Sequence, residues 1–192
     1  MKATAPPVRT SRSHPLRIDE VTAGEAGGLI GITFCPGKCG PSLYDLRWKR
    51  DLAADLDVIV AWGARAVVTL IEAHEFELLG VPDLGARVLA RGIDWHPLPI
   101  PDVQPPGERF ETGWQTSGPV LRNDLLAEHR VLVHCRGGLG RAGTVAARLL
   151  VELGAPAVEA IRRVRAARPG AIETTQQEQY VLKLPRRLGA GS

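Results

Sequence analysis

The chain reads as a single α/β domain with a mostly parallel central sheet flanked by helices on both faces. Three observations point there. Short apolar runs of strand length alternate with longer stretches of helical periodicity. The last third of the chain holds only helical pattern. One strand ends in a glycine-rich turn that opens directly into a helix, which is how parallel strands are connected. With 192 residues, one sizeable core is expected.

The elements follow in order. Residues 1–16 are basic, lack acids and carry three prolines, so a flexible arm is expected ahead of a domain spanning 17–187, with a flexible tail at 188–192. The arm has no apolar stretch of the kind a secretory signal needs. Strand-like runs are 28-GLIGITF-34, 66-AVVTLI-71, 93-IDWHPLPI-100 and 130-RVLVH-134. Between them, 47–64 reads as a helix with Leu52, Leu56, Ile59 and Val60 on its apolar face, and 83–92 as a helix ended by Gly92. The segment 108–129 has helical pattern interrupted by Gly118-Pro119. Beyond the glycine turn come helices at 142–153, stopped by Gly154; at 156–167, opened by Pro156 and closed by Pro169-Gly170; and at 175–187.

Composition excludes several classes. Hydrophobic residues make up 44% and charged ones 23%, as in ordinary globular domains. No apolar run approaches the ~18–20 residues of a membrane helix, since even 142-AGTVAARLLVEL-153 is broken by Arg148 and Glu152. Three cysteines, Cys35, Cys39 and Cys135, are too few for a disulfide framework, so a reducing cytoplasm is expected. From residue 120 onward there are 12 Lys/Arg against 6 Asp/Glu, whereas the remainder carries 12 against 15. That asymmetry suits an anionic substrate, and equally a solvated helix face such as 162-RRVR-165. No dense basic-aromatic patch suggests nucleic-acid binding, and the domain is expected to act as a monomer.

The chemistry concentrates in 131-VLVHCRGGLGRAGT-144. A glycine-rich turn between a strand and a helix aims backbone N–H groups into one concavity, and the helix N-terminus adds positive potential. A thiol placed there, Cys135, is favoured as a thiolate nucleophile. Arg141 brings a planar fork suited to two oxygens of a phosphate-like group. Residues 136–141 (Arg136, Gly137, Gly138, Leu139, Gly140 and Arg141) would line the cradle. Such a loop stabilises charge by itself, so neither a metal nor a cofactor is required. The alternative, an inert buried cysteine beside a capping arginine, leaves the joint spacing without a use.

His134-Cys135-x5-Arg141 resembles the signature of the cysteine-dependent protein tyrosine and dual-specificity phosphatases, and CRGGLGR is especially similar to the compact dual-specificity branch. The pieces 31-GITFCPGKCG-40, 96-HPLPIPD-102 and 168-RPGAIETTQQEQY-180 resemble the cyclin-dependent-kinase-associated phosphatases, also called the cyclin-dependent kinase inhibitor 3 family. The likeness covers roughly residues 17–187 and implies the dual-specificity phosphatase fold. It implies Cys135 as the nucleophile that forms a phosphocysteine, Arg141 as the holder of the phosphoryl oxygens, and His134 as the residue that orders the loop. It also implies a general acid on an upstream loop, for which Asp102 in 97-PLPIPDVQPP-106 fits and Asp94 is the fallback. A water-positioning glutamine maps to Gln177, with Gln176 one place away. The implied partner is a phosphorylated protein, a kinase among the candidates.

Two departures from the family pattern matter. Ala142 stands where a hydroxyl residue commonly follows the loop arginine, and the nearest hydroxyl is Thr144, so hydrolysis of the phosphocysteine is expected to be the slow step. Arg136 lies beside the cysteine, which keeps open a small-molecule phosphatase acting on inositol phosphates or nucleotides. Sulfur transfer of the rhodanese kind is argued against by Cys-x5-Arg together with Asp102, and a purely phosphate-binding module by the presence of both Cys135 and Arg141. Cys35 and Cys39 lack the partners of a zinc site and read as buried or turn cysteines, a redox pairing with each other or with Cys135 being the alternative.

Overall fold

A computed structural model of the chain describes residues 8–24, 27–41 and 47–185. Its elements in order are β1 (Val8–Arg9), β2 (Asp19–Thr22), β3 (Leu29–Phe34), β4 (Cys39–Pro41), β5 (Arg47–Lys49), α1 (Leu52–Trp62), β6 (Ala64–Thr69), α2 (Ala73–Leu78), α3 (Leu84–Leu89), β7 (Asp94–Pro97), α4 (Glu108–Leu126), β8 (Arg130–Cys135), α5 (Gly140–Glu152), α6 (Ala157–Ala167) and α7 (Thr175–Leu182). The main sheet runs β2-β3-β8-β6-β7. β3, β8, β6 and β7 are parallel, and β2 joins the edge antiparallel.

Side-chain alternation sorts the sheet into two faces. Val67 and Leu132 face a core built with Leu56 and Ile59 of α1 and Leu84 and Val88 of α3. Ile30, Ile32, Val68, Val131 and Val133 face the other core, which α4, α5, α6 and α7 close with Phe110, Trp114, Val145, Leu149, Ile161 and Val181. The expected α/β architecture with helices on both faces is therefore present. β8 lies at the centre, between β3 and β6, and its carboxyl end delivers Cys135 to the point where ligands bind in open α/β sheets.

Several elements differ from the sequence expectation. The helix expected over 47–64 starts only at Leu52, because Asp51 caps it by accepting N–H bonds from Ala53 and Ala54. Residues 47–49 instead form β5, the middle of a small sheet ordered β1-β5-β4. β1 comes from the expected arm, which is therefore structured from Val8 on, and Leu16 is buried against the α1 side of the sheet. Residues 1–7 and the tail 188–192 lie outside the described residues. The helix α4 runs unbroken through Gly118-Pro119, since burial of Phe110, Trp114, Leu121 and Leu125 along one face outweighs the hydrogen bond lost at Pro119. Among the described residues no helix is long and apolar enough to cross a membrane.

The loop between β3 and β4 is fixed by a buried ion pair. Arg50 donates from Nε and Nη2 to the two carboxylate oxygens of Asp55, each at 2.7 Å, and from Nη1 to the His14 carbonyl at 2.7 Å. Asp55 also accepts the Gly37 N–H at 2.8 Å. Removing one partner of such a pair leaves an uncompensated buried charge. Asp55→Leu is expected to lower stability by roughly 3–5 kcal/mol in urea unfolding, and a loss under 1 kcal/mol would show the pair to be dispensable.

Candidate active site

The strand end and the helix start leave the loop 136–140 little freedom. Gly138 has φ +70, and a Cβ there would stand 2.4 Å from the Thr33 backbone of β3, so both its conformation and its surroundings demand glycine. With Gly138 so placed, its N–H donates to Cys135 Sγ at 3.2 Å. The loop carbonyls turn the other way. Arg168 takes Gly138 O at 2.5 Å and Gly137 O at 3.1 Å, while its Nη1 pairs with Asp19 at 2.5 Å. The Arg136 carbonyl accepts the Cys35 N–H and Lys38 Nζ, both at 3.3 Å. Lys38 packs on the faces of Phe34 and Trp48, and burial pulls its amine down to about 8.

Arg141 is the second residue of α5, directly after Gly140, and is 2% exposed. Its guanidinium is held by a group that the sequence reading passed over. Glu75 of α2 accepts Nη1 at 2.6 Å and Nη2 at 2.9 Å, a bidentate pair. Nη1 also donates to the Ile100 carbonyl at 3.0 Å. This pairing and its charge keep the Glu75 carboxyl low against the burial that would raise it. The segment 72-EAHEFELLG-80 thus supplies the arginine's anchor, and only its acidic residues at the start of a short helix hinted at it. The Arg141 Nε is buried and has no partner.

Asp102 lies in the loop between β7 and α4 with its carboxylate 2.9 Å from Arg141 Nη2. The next residue, Val103, holds φ 57, a strained conformation for a β-branched residue, and donates its N–H to Asp102 Oδ1 at 3.1 Å. Asp94, the fallback acid, sits on β7 and pairs with Arg65 at 3.2 Å, away from Arg141. A groove of about 210 Å³ lined by Glu72, Pro99, Pro101 and Phe110 opens beside the Asp102 loop.

Gln177 is fully buried, whereas Gln176 is exposed. Its Oε1 accepts the N–H groups of Glu173 and Thr174 at 3.0 and 3.3 Å, and its Nε2 donates to Gln104 O at 3.2 Å. The side chain abuts Gly140, where an added Cβ would stand 2.9 Å from its amide. Thr144 donates its hydroxyl to the Gly140 carbonyl at 2.8 Å, so that hydroxyl is engaged within α5 and not at the sulfur. Ala142 is buried in the core. The donor to Cys135 Sγ is instead the Gly138 N–H. Cys35 and Cys135 belong to the cores on opposite sheet faces, and burial drives the Cys35 thiol upward. Such placement suits the reading of Cys35 as an ordinary buried cysteine. Among the described residues no group of three or more His, Cys, Asp or Glu is arranged to hold a metal.

His134 is buried completely between strands. Its Nδ1 faces the Cys135 carbonyl at 3.4 Å, an acceptor, so the proton belongs on Nδ1. Nε2 then accepts from the Thr69 hydroxyl at 2.8 Å, which in turn accepts Trp95 Nε1–H at 2.9 Å. Burial lowers the His134 pKa from 6.5 to about 4, the neighbouring Arg141 adding to the effect. A histidine whose folded pKa is depressed stabilises the fold when neutral. That contribution is complete above the unfolded value of 6.5 and is lost as pH falls toward 4. In His134→Asn, the acid-side loss of stability between pH 6.5 and 4 is expected to shrink by about 3 kcal/mol. Identical pH slopes in denaturant melts of the two proteins would refute the assignment.

With this geometry in view, the likenesses to known proteins are specific. The family model described as "PTP-SAK: Swiss Army Knife protein, DSP-PTPase phosphatase domain" matches residues 49–181. Cyclin-dependent kinase inhibitor 3 of Rattus norvegicus is 29% identical, with 96% of this chain and 92% of that protein covered. Protein tyrosine phosphatase PRL-1 of Leishmania major is 35% identical over 54% of this chain and 63% of its own length. Among solved structures, a kinase associated phosphatase whose catalytic site cysteine is replaced by serine superposes with TM-score 0.74 at 27% identity, covering 87% of this chain and 92% of that one.

Proposed function

This chain belongs to the DSP-PTPase phosphatases, and from that membership we propose that Cys135, Arg141 and Asp102 carry out its phosphoryl transfer. The protein is a metal-independent, cysteine-dependent protein phosphatase of the dual-specificity class. The relatives' names favour phosphoproteins over inositol phosphates or nucleotides.

In the first step Cys135 Sγ attacks phosphorus and the bond to the leaving oxygen breaks. The amides of residues 136–141 and the Arg141 fork receive the charge on the equatorial oxygens. Asp102 protonates the leaving oxygen, which an alkoxide or phenoxide needs in order to depart. In the second step water attacks phosphorus, the phosphorus–sulfur bond breaks, and Asp102 takes the water's proton. The Gly138 N–H bond to Sγ stabilises the departing thiolate, the task for which Ala142 offers no hydroxyl. His134 orders the loop from beneath. Gln177 supports the loop from the side, with its amide occupied by Glu173, Thr174 and Gln104.

The observation that carries the reading is the fork. Arg141 is fixed on Glu75 by Nη1 and Nη2, and its Nε edge remains for an oxyanion. Asp102 on Nη2 must move off when a phosphoryl group takes that edge, which brings its carboxyl to the leaving side. The names cyclin-dependent kinase inhibitor 3 and kinase associated phosphatase make a phosphorylated kinase the substrate to test first. The protein is proposed to act as a monomer.

Cys135→Ser is expected to abolish hydrolysis of p-nitrophenyl phosphate while retaining phosphopeptide binding by calorimetry, because the cradle survives and the nucleophile does not. Residual turnover above a few per cent would refute the covalent route. Asp102→Asn should slow alkyl phosphates by roughly 10²–10⁴ and esters with acidic leaving groups much less. Equal losses on both substrates would move the acid role away from Asp102.

A further inference from the structure

The Gly140 N–H is one of the amides between Cys135 and Arg141 and, as the first residue of α5, it has no partner within the helix. It is occupied all the same. Glu173, exposed on the segment between α6 and α7, places Oε2 on the Gly140 N–H at 2.8 Å. The approach is close enough that a Cβ on Gly140 would stand 2.4 Å from that oxygen. Glycine at 140 therefore admits the carboxylate as well as the Gln177 amide.

The backbone aims Glu173 there. Ile172 is buried with φ 59, and its carbonyl accepts Arg165 Nη2 at 3.1 Å. Its N–H reaches the Leu139 carbonyl at 3.4 Å, and the Glu173 N–H is held by Gln177 at 3.0 Å. The Glu173 carboxylate itself forms no ion pair with any described residue. A main chain fixed on both sides thus carries a side chain tethered by one hydrogen bond to a phosphate-binding amide.

We propose that Glu173 is an autoinhibitory residue that acts as an internal anion on the cradle. In the resting enzyme its carboxylate holds the Gly140 N–H, and a phosphoryl group must displace it to bind. The inference rests on reading residues 136–141 as the phosphate cradle. An internal competitor reduces the apparent affinity of every oxyanion by the fraction of time the amide is free, and the displaced negative charge, still tethered nearby, repels the incoming phosphoryl group further. Free orthophosphate and small esters bind through the cradle alone and bear the full penalty. A phosphoprotein adds contacts outside the loop, for which the groove along Pro99, Pro101 and Phe110 is in place. Glu173 thereby lowers occupancy of the cradle by small phosphates, limits retention of the phosphate product, and leaves the added contacts of an extended substrate to offset the same penalty.

The test uses the full chain with p-nitrophenyl phosphate as substrate and orthophosphate as inhibitor. Glu173→Gln removes the charge while its amide oxygen still accepts the Gly140 N–H; Glu173→Ala removes both. The inhibition constant for orthophosphate and KM are expected to fall in order from wild type to Gln to Ala, by about tenfold overall, equivalent to ~1.4 kcal/mol. The kcat should stay within a few-fold of wild type. An unchanged or raised inhibition constant would overturn the proposal and leave Glu173 as a support of the loop. A kcat collapse with unchanged phosphate affinity would also overturn it, assigning Glu173 to hydrolysis of the phosphocysteine. Repeating the phosphate titration by calorimetry on Cys135→Ser with and without the Glu173 substitutions reads the displacement without turnover. Failure of the covalent mechanism is thus told apart from failure of the gate.

Discussion

The buried pair between Arg141 and Glu75 is the contact on which the remaining site geometry depends. Two charges taken from water into a protein interior are expensive, and the cost is met only when geometry and further hydrogen bonds are good. Here the guanidinium has two short bonds to one carboxylate and a third to the Ile100 carbonyl. That carboxylate is fixed in turn, accepting the Glu72 N–H at 2.8 Å. The pair draws together the start of α5, the turn after β6 and the loop after β7. Without it, the fork would be held only by the Ile100 and Leu70 carbonyls and the half-exposed Asp102.

The second constraint is the polarity of the loop. A five-residue turn with its N–H groups inward must turn its carbonyls outward, and each carbonyl then needs a donor. Arg168 supplies two and the Cys35 N–H with Lys38 a third. Arg168 is steadied by Asp19 on the antiparallel edge strand β2, and Lys38 by the rings of Phe34 and Trp48 beside the small sheet. Peripheral parts of the fold thus act on the chemistry through the outer surface of the loop. The donors are preorganised before any phosphate arrives, which is where electrostatic stabilisation of a transition state comes from.

How much of this was legible in the sequence follows from distance along the chain. The strand, the Cys-x5-Arg loop and the helix after it lie within 24 residues, and their type and chemistry could be read directly. Asp102 was singled out because the family resemblance implies an acid on an upstream loop, and prolines mark that loop. Glu75 could not be found by spacing, since it lies 66 positions from Arg141 and sits in a six-residue helix with little periodicity. Gln177 was located, but its buried, fully bonded amide was not foreseeable, because the capping box with Thr174 and the contact to Gln104 depend on tertiary packing. The strands β1, β4 and β5 have two or three residues each, too short to leave a pattern. The break expected at Gly118-Pro119 failed to appear because one lost hydrogen bond weighs less than four buried side chains.

The donors of the resting site are occupied by the protein's own carboxylates, and this ties binding to acid catalysis on the proposed mechanism. Asp102 rests on Arg141 Nη2, and Glu173 rests on the Gly140 amide. Each is a carboxylate on a donor that a phosphoryl group also wants, so two negative charges cannot enter without both giving way. Glu75 does not give way, because it is buried and bidentate, and it keeps Arg141 charged and aligned throughout. Asp102 differs in being half exposed on a loop whose neighbour, Val103, is held in a conformation that costs on the order of 1–3 kcal/mol. When the phosphoryl oxygens take Arg141, the ion pair that kept the loop in place disappears, and the strain favours its departure. On the proposed mechanism, the event that binds substrate thus also frees the Asp102 carboxyl to meet the leaving group.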